Sequence, residues 1–198
     1  MAEITTVDST APESTAPETT MAETTTVETT TVETTAVEST VATSPTELSA
    51  EEVADLLWIR EEEKLAHDVY AYFNTLYPTA NTFANIMESE LRHTDAVKTL
   101  LQKYGVADPA ANTGPGEFVN ADLQALYDTL VSVGEEGLVE GLEVGVAIEK
   151  KDMTDIVEAI ELSVAYKDIV QVYSNLLAGS ENHLAAFLAA LEVAADDD

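Results

Sequence analysis

Phe83-Ala84-Asn85-Ile86-Met87-Glu88-Ser89-Glu90-Leu91-Arg92-His93 is the stretch whose reading decides the fold. Residues three apart lie on one face of a helix, so Glu90-x-x-His93 aims a carboxylate and an imidazole at one point. Much of that face continues through Phe83, Ile86, Met87, Val97, Leu100 and Leu101. A carboxylate set in an apolar stripe is costly unless it has a partner, and a metal ion is one. The stretch predicts a long helix that carries metal-binding chemistry into a core.

Working outward, the pattern on both sides is helical. Ser49 followed by Glu51 and Glu52 marks a helix start. The first long helix then runs to about Tyr77, where Pro78 stops it. The second runs from about Thr82 to Tyr104 and ends at Gly105. A Gly/Pro-containing loop from Ala107 to Val119 leads to a short helix over about 121–133. The third long helix spans about 135–162, and the fourth about 166–194. No segment alternates with period two, so no sheet is expected and the class is all-α. Two long helices, a long crossover containing a short extra helix, then two more describe a four-helix bundle over residues 47–194. Residues 195–198 form an acidic C-terminal end.

Residues 5–44 are different in kind. Thr10-Ala11-Pro12-Glu13-Ser14 is followed by Thr15-Ala16-Pro17-Glu18-Thr19, and the five-residue beat continues to Thr40–Ser44. With no Lys, Arg or aromatic residue, this segment lacks the apolar mass to offset the entropy of ordering. Residues 1–46 are therefore expected to be a disordered tail. Thr-rich stretches with Pro resemble stalks that hold a domain off a cell surface, which implies an extracytoplasmic location. A plain solubilising tail is the alternative and leaves a cytoplasmic location open.

Composition narrows the chemistry. The chain has 198 residues, no cysteine, three histidines and a formal net charge of −30. Thiolate metal sites and disulfides are excluded. Such a charge repels nucleic acid and anionic lipid, discounting both as partners, and attracts cations. No apolar run approaches the ~20 residues that a membrane helix needs, and no signal peptide is visible.

Three more stretches join the first. They are Glu63-Lys64-Leu65-Ala66-His67-Asp68-Val69-Tyr70, Ala147-Ile148-Glu149-Lys150-Lys151-Asp152 and Gly179-Ser180-Glu181-Asn182-His183-Leu184-Ala185-Ala186-Phe187. Together with Phe83–His93 they resemble, in order, the metal-binding helices of rubrerythrins in the ferritin-like superfamily. A single long crossover between the second and third helices is also what sets ferritin-like bundles apart. The run Arg60-Glu61-Glu62-Glu63-Lys64-Leu65-Ala66, the Asp108-Pro109 loop and Gly116-Glu117-Phe118 resemble most closely an uncharacterised ferritin-like family of unknown function. The likeness covers about Leu48 to Leu191.

The resemblance implies two bound metal ions, iron first and manganese or zinc as alternatives. It places Glu63, Glu90, His93, Glu149, Asp152 and His183 as their ligands. By helical angle alone, Glu62 lies nearer than Glu63 to the centre of the stripe formed by Ile59, Ala66, Val69 and Phe73; the resemblance favours Glu63. His67 falls outside that stripe and reads as a surface residue. Tyr70 is expected near the metals as a core tyrosine with a satisfied hydroxyl, a redox role being the alternative. One departure stands out. Rubrerythrins carry Glu three residues before the last histidine, and this chain has Ser180. Glu181 points about 100° away and does not replace it.

The function expected is that of a non-haem di-iron carboxylate protein with oxidase or peroxidase-type activity on oxygen or hydrogen peroxide. Carboxylate and imidazole donors suit iron and manganese. Lacking cysteine-ligated iron, the chain would need an outside reductant. Two alternatives are a protein that sequesters metal without catalysis, and a stalked surface interaction module. Ferritin-like bundles often pair through their first two helices, so a homodimer is expected.

Overall fold

A computed structural model describes residues 47–196. The repeat tail of residues 1–46 and the last two residues of the acidic end lie outside the described residues. The order is α1 (Ala50–Leu76), α2 (Asn81–Tyr104), a 3-10 turn (Pro109–Asn112), α3 (Ala121–Gly134), α4 (Leu138–Leu162) and α5 (Lys167–Asp196). Among the described residues there is no strand, and no helix is long and apolar enough to cross a membrane.

The helix ends follow local chemistry. Ser49 Oγ accepts the Glu52 N–H at 3.2 Å while Glu52 Oε2 accepts the Ser49 N–H at 2.6 Å, a reciprocal capping box. Gly105 closes α2 at φ 68°, a left-handed conformation that glycine adopts without a Cβ penalty. There the Val106 N–H returns to Leu101 O at 2.9 Å. Asn120 Oδ1 caps α3 by accepting the N–H groups of Asp122 and Leu123. The third long helix, expected from Glu135, begins instead at Leu138. The Glu135 N–H still bonds back to Val131 O, finishing α3, and extended Gly137 breaks the chain before α4.

Cross-helix pairs give the directions. Tyr70 meets Glu149, Glu62 meets Lys151 and Trp58 meets Asp155, so α4 runs antiparallel to α1. His183 lies beside Glu90, and the His93 ring lies beside Gly179, so α5 runs antiparallel to α2. Ser180 meets Asp152 on the antiparallel α4–α5 pair. The bundle is a square in which every neighbour is antiparallel, and α2 and α4 therefore point the same way. The chain must climb back along the bundle between them, which is why the crossover is long. That crossover is fastened to α1. Arg60 pairs with Asp108, Lys64 donates to Gly114 O and Glu117 O, and Asp68 and Glu61 accept backbone N–H groups from Gly116, Val119 and Asn120.

The core lies in two apolar clusters. One gathers Leu65, Val69, Phe73, Phe83, Ile86, Leu142, Ile148 and Phe187. The other gathers Leu56, Ile59, Val97, Leu101, Ile156, Ile169, Tyr173 and Leu176. Burying a large apolar side chain contributes about 1.5–3 kcal/mol, so these clusters carry most of the bundle's stability. In every long helix the buried residues between the two clusters are polar.

Candidate metal centre

That polar layer contains all six residues singled out by sequence. Glu63 comes from α1, Glu90 and His93 from α2, Glu149 and Asp152 from α4, and His183 from α5. The four carboxylates and His183 are buried, and the His93 side chain is 12% exposed. Glu90 sits between the two histidines, with Oε2 2.9 Å from His93 Nδ1 and Oε1 2.6 Å from His183 Nδ1. Ligand atoms of Glu90, His93 and His183 all lie within 4.8 Å of one another. Glu63 Oε2 is 3.2 Å from His93 Nδ1, and Glu149 Oε2 is 3.5 Å from His183 Nδ1. The two imidazoles stack with centroids 5.4 Å apart. Gly179 makes room for them: a Cβ there would fall 2.5 Å from the His93 ring.

Hydrogen bonding leaves the layer incomplete. Glu63 Oε1, Glu90 Oε1, Asp152 Oδ1 and His183 Nδ1 are buried and have no hydrogen-bond partner. His183 Nδ1 and Glu90 Oε1 are 2.6 Å apart as an ion pair but lack the alignment of a hydrogen bond. Buried polar atoms in folded proteins are otherwise almost always paired. Tyr70, fully buried, donates to Glu149 Oε1 at 2.7 Å and so fixes that carboxylate. Ser180 Oγ lies 2.5 Å from Asp152 Oδ2 and 3.1 Å from Leu176 O.

Burial and the closeness of like and unlike charges set the proton affinities of the layer. Burial, reinforced by the neighbouring Glu90 carboxylate, pushes Glu63 well above the usual carboxylate range. Burial, reinforced by Glu63 and Glu62, does the same to Asp152. The Ser180 hydroxyl donates to Asp152 Oδ2 and pulls the other way, without outweighing burial. Burial raises Glu149 to about 7 against the counter-pull of His183. Glu90 goes the other way: burial works against its charge, but His183 and His93 outweigh it and hold the group at about 2. Burial lowers His183, and the close Glu149 and Glu90 carboxylates more than reverse this, to about 9. A buried set of several carboxylates and two imidazoles, with atoms left unpaired, matches the donor set of hard and borderline metal ions.

The structure also separates the residues that sequence left open. Glu63 faces His93, whereas Glu62 accepts from Lys151 at 2.8 Å and Trp58 at 3.1 Å on the α4 side of α1. His67 is half-buried beside Asp68, away from the layer, and Glu181 is exposed. An apolar cavity of about 210 Å³ lies between α1, α3 and α4 against Glu62, and none of the six candidate ligands lines it. Two residues escape the sequence reading. Thr94 is buried with an unpaired hydroxyl, and its one signal is its place one turn beyond Glu90. Gly179 stands one turn before His183, where a side chain would displace His93.

Known proteins share this chain's sequence and shape. The chain is 45% identical over 143 residues to the uncharacterized protein MJ0754 of Methanocaldococcus jannaschii, covering 71% of this chain and 75% of the relative. The crystal structure of the hypothetical protein MJ0754 from Methanococcus jannaschii superposes with a TM-score of 0.70 at 43% identity, covering 75% of this chain and 83% of that one. Residues 52–196 match the model of a family described as an uncharacterized protein domain, DUF2202. The chain belongs to that family.

Proposed function

We propose that the polar layer holds a pair of metal ions, iron before manganese or zinc, in a bundle of ferritin-like type. We read the loaded protein as an oxidase or peroxidase acting on dioxygen or hydrogen peroxide. The observation that carries this reading is the set of four buried, unpaired ligand atoms on Glu63, Glu90, Asp152 and His183. Apolar residues or mutual hydrogen bonds would fill such a layer more cheaply if nothing were bound there. Glu90 lies between both histidines, the place of a bridging ligand, and Glu149 is aimed by Tyr70. His93 and His183 turn Nδ1 inward, each toward carboxylates from other helices. The apolar clusters above and below keep bulk water out of the layer. Bound iron would supply the electron-transfer steps that reduce dioxygen or peroxide. With no cysteine in the chain, reducing equivalents must come from another molecule.

One observation favours a second reading, metal binding without turnover. Ser180 replaces a carboxylate on α5 and ties up Asp152, which weakens the position nearer that helix. Elemental analysis of the purified chain, followed by peroxide consumption before and after chelation, separates the two. Two ions per chain with chelation-sensitive peroxide loss supports the oxidoreductase reading. Bound metal without peroxide loss leaves sequestration, and a chain that takes up no iron, manganese or zinc overturns both.

A further inference from the structure

Five hydroxyls inside these helices are satisfied in a way that Thr94 is not. Thr99, Thr129, Thr154, Ser174 and Ser180 each approach the carbonyl four residues back at 2.7–3.1 Å, the usual way for a helical hydroxyl to be satisfied. Thr94 is only 8% exposed, and its Oγ1 has no such bond and no other partner. A buried hydroxyl left unpaired destabilises a fold, whereas a valine of the same shape would carry no such cost.

The register shows where the hydroxyl stands. Thr94 follows Glu90 by one helical turn on the same face of α2. Helix α5 runs antiparallel, with His183 beside Glu90 and Gly179 beside the His93 ring, so Thr94 comes level with Gly179 and Ser180. Ser180 reaches Asp152 there. Asp152 Oδ1 and Glu63 Oε1, from the same polar layer, are also buried without a hydrogen-bond partner. On α2 the residue three before the histidine is a glutamate; on α5 it is a serine, shorter by a methylene and a carboxylate. A molecule the size of water or peroxide is the kind of partner that the unpaired Thr94 hydroxyl and these oxygens lack.

We propose that the Thr94 hydroxyl is the positioning group for a small oxygen ligand, water at rest and peroxide in use, at the Ser180 end of the metal layer. The proposal rests on the metal reading above. Thr94 holds no metal. It orients what enters beside the metals through one hydrogen bond.

The test uses the full chain loaded with iron, with azide as the small-anion probe followed by its absorption band. Thr94→Val should keep the wild-type iron content and weaken azide binding about tenfold, the size of one lost hydrogen bond. Thr94→Ser should restore azide affinity to within about twofold. In the metal-free protein Thr94→Val should melt no lower than wild type, because the hydroxyl has no partner to lose. Unchanged azide affinity in Thr94→Val, or a lower metal-free melting temperature, overturns the assignment while leaving the metal reading intact. Loss of iron from Thr94→Val also overturns it, by making Thr94 a support for the ligands. A wild-type chain that takes up no iron overturns both readings.

Discussion

Glu61, Glu62 and Glu63 are consecutive, equally acidic and almost fully buried, yet they meet three different fates. Successive residues on a helix point about 100° apart, so each faces another part of the molecule. Glu61 faces the crossover and accepts backbone N–H groups from Val119 and Asn120. Glu62 faces α4 and accepts from Lys151 and Trp58. Glu63 faces the bundle axis, meets His93 beside the Glu90 carboxylate and keeps one oxygen unpaired. Burial of an acid is therefore not the mark of a metal site here. The mark is burial that the protein itself leaves uncompensated. The first two acids are structural fasteners; the third belongs to the layer proposed above to hold metal.

If that contrast is right, pH should act most strongly on the metal-free layer. Folding raises Glu149 from 4.5 to about 7 and His183 from 6.5 to about 9. Each group binds its proton more tightly when folded, so its contribution is complete below the unfolded value and is withdrawn as pH rises through the folded one. Glu90, lowered to about 2, contributes above 4.5 and loses its contribution as pH falls toward 2. The metal-free protein should be most stable near pH 5 and lose stability progressively toward pH 9, because each tenfold gain in proton affinity on folding is worth about 1.4 kcal/mol. Metal displaces those protons, so the loaded protein should not show the decline. Urea midpoints across pH, with and without chelator, read this directly.

Exchanging neighbouring acids sharpens the same contrast. Glu90→Gln removes the carboxylate between the histidines and should lower metal affinity by at least about 100-fold, beyond what altering a supporting residue costs. Glu62→Gln, an equally buried change, should leave metal content untouched. Metal per chain after dialysis against a graded chelator decides it. For stability the ranking reverses. Lys151→Ala strands Glu62, already raised to about 7 by burial despite its lysine partner, and should cost about 1–3 kcal/mol in the denaturant midpoint without altering metal content.

The smallest effect is expected at the two histidine motifs, where Glu90-x-x-His93 is complete and Ser180-x-x-His183 is not. Ser180→Glu should tighten the position nearer α5 about tenfold in loaded protein, within the usual yield of one added charged ligand bond. It should destabilise the metal-free chain by placing another acid against Asp152. Calorimetric titration that shows two equal sites in wild type would remove the asymmetry on which this rests.

The helices were legible because their ends are written locally, in Ser49 with Glu52, Pro78 and Gly105. The start of α4 was not, because the Glu135–Gly137 break competes with helix-forming residues on both sides. The six layer residues could be named from i, i+3 spacing and from resemblance. The separate fates of Glu61, Glu62 and Glu63 could not, since they depend on which helix covers each side of α1. Nearly the whole circumference of α1 near its middle is buried, so apolar periodicity has little to say there. Thr94 and Gly179 were hidden for the same reason: one matters for a bond it does not make, the other for a ring on another helix.

The antiparallel square has a kinetic consequence. Packing is heaviest within α1–α2 and within α4–α5, two hairpins of near contacts separated by the crossover. Glu63, Glu90 and His93 lie in the first hairpin, and Glu149, Asp152 and His183 in the second. Neither hairpin holds more than half of the layer, so the full set of ligands exists only after the two have docked. Interactions that form after the folding barrier slow unfolding and leave the folding rate nearly unchanged. A bound metal pair would thus work as a late clasp between two halves, lengthening the life of the assembled chain without hastening its assembly.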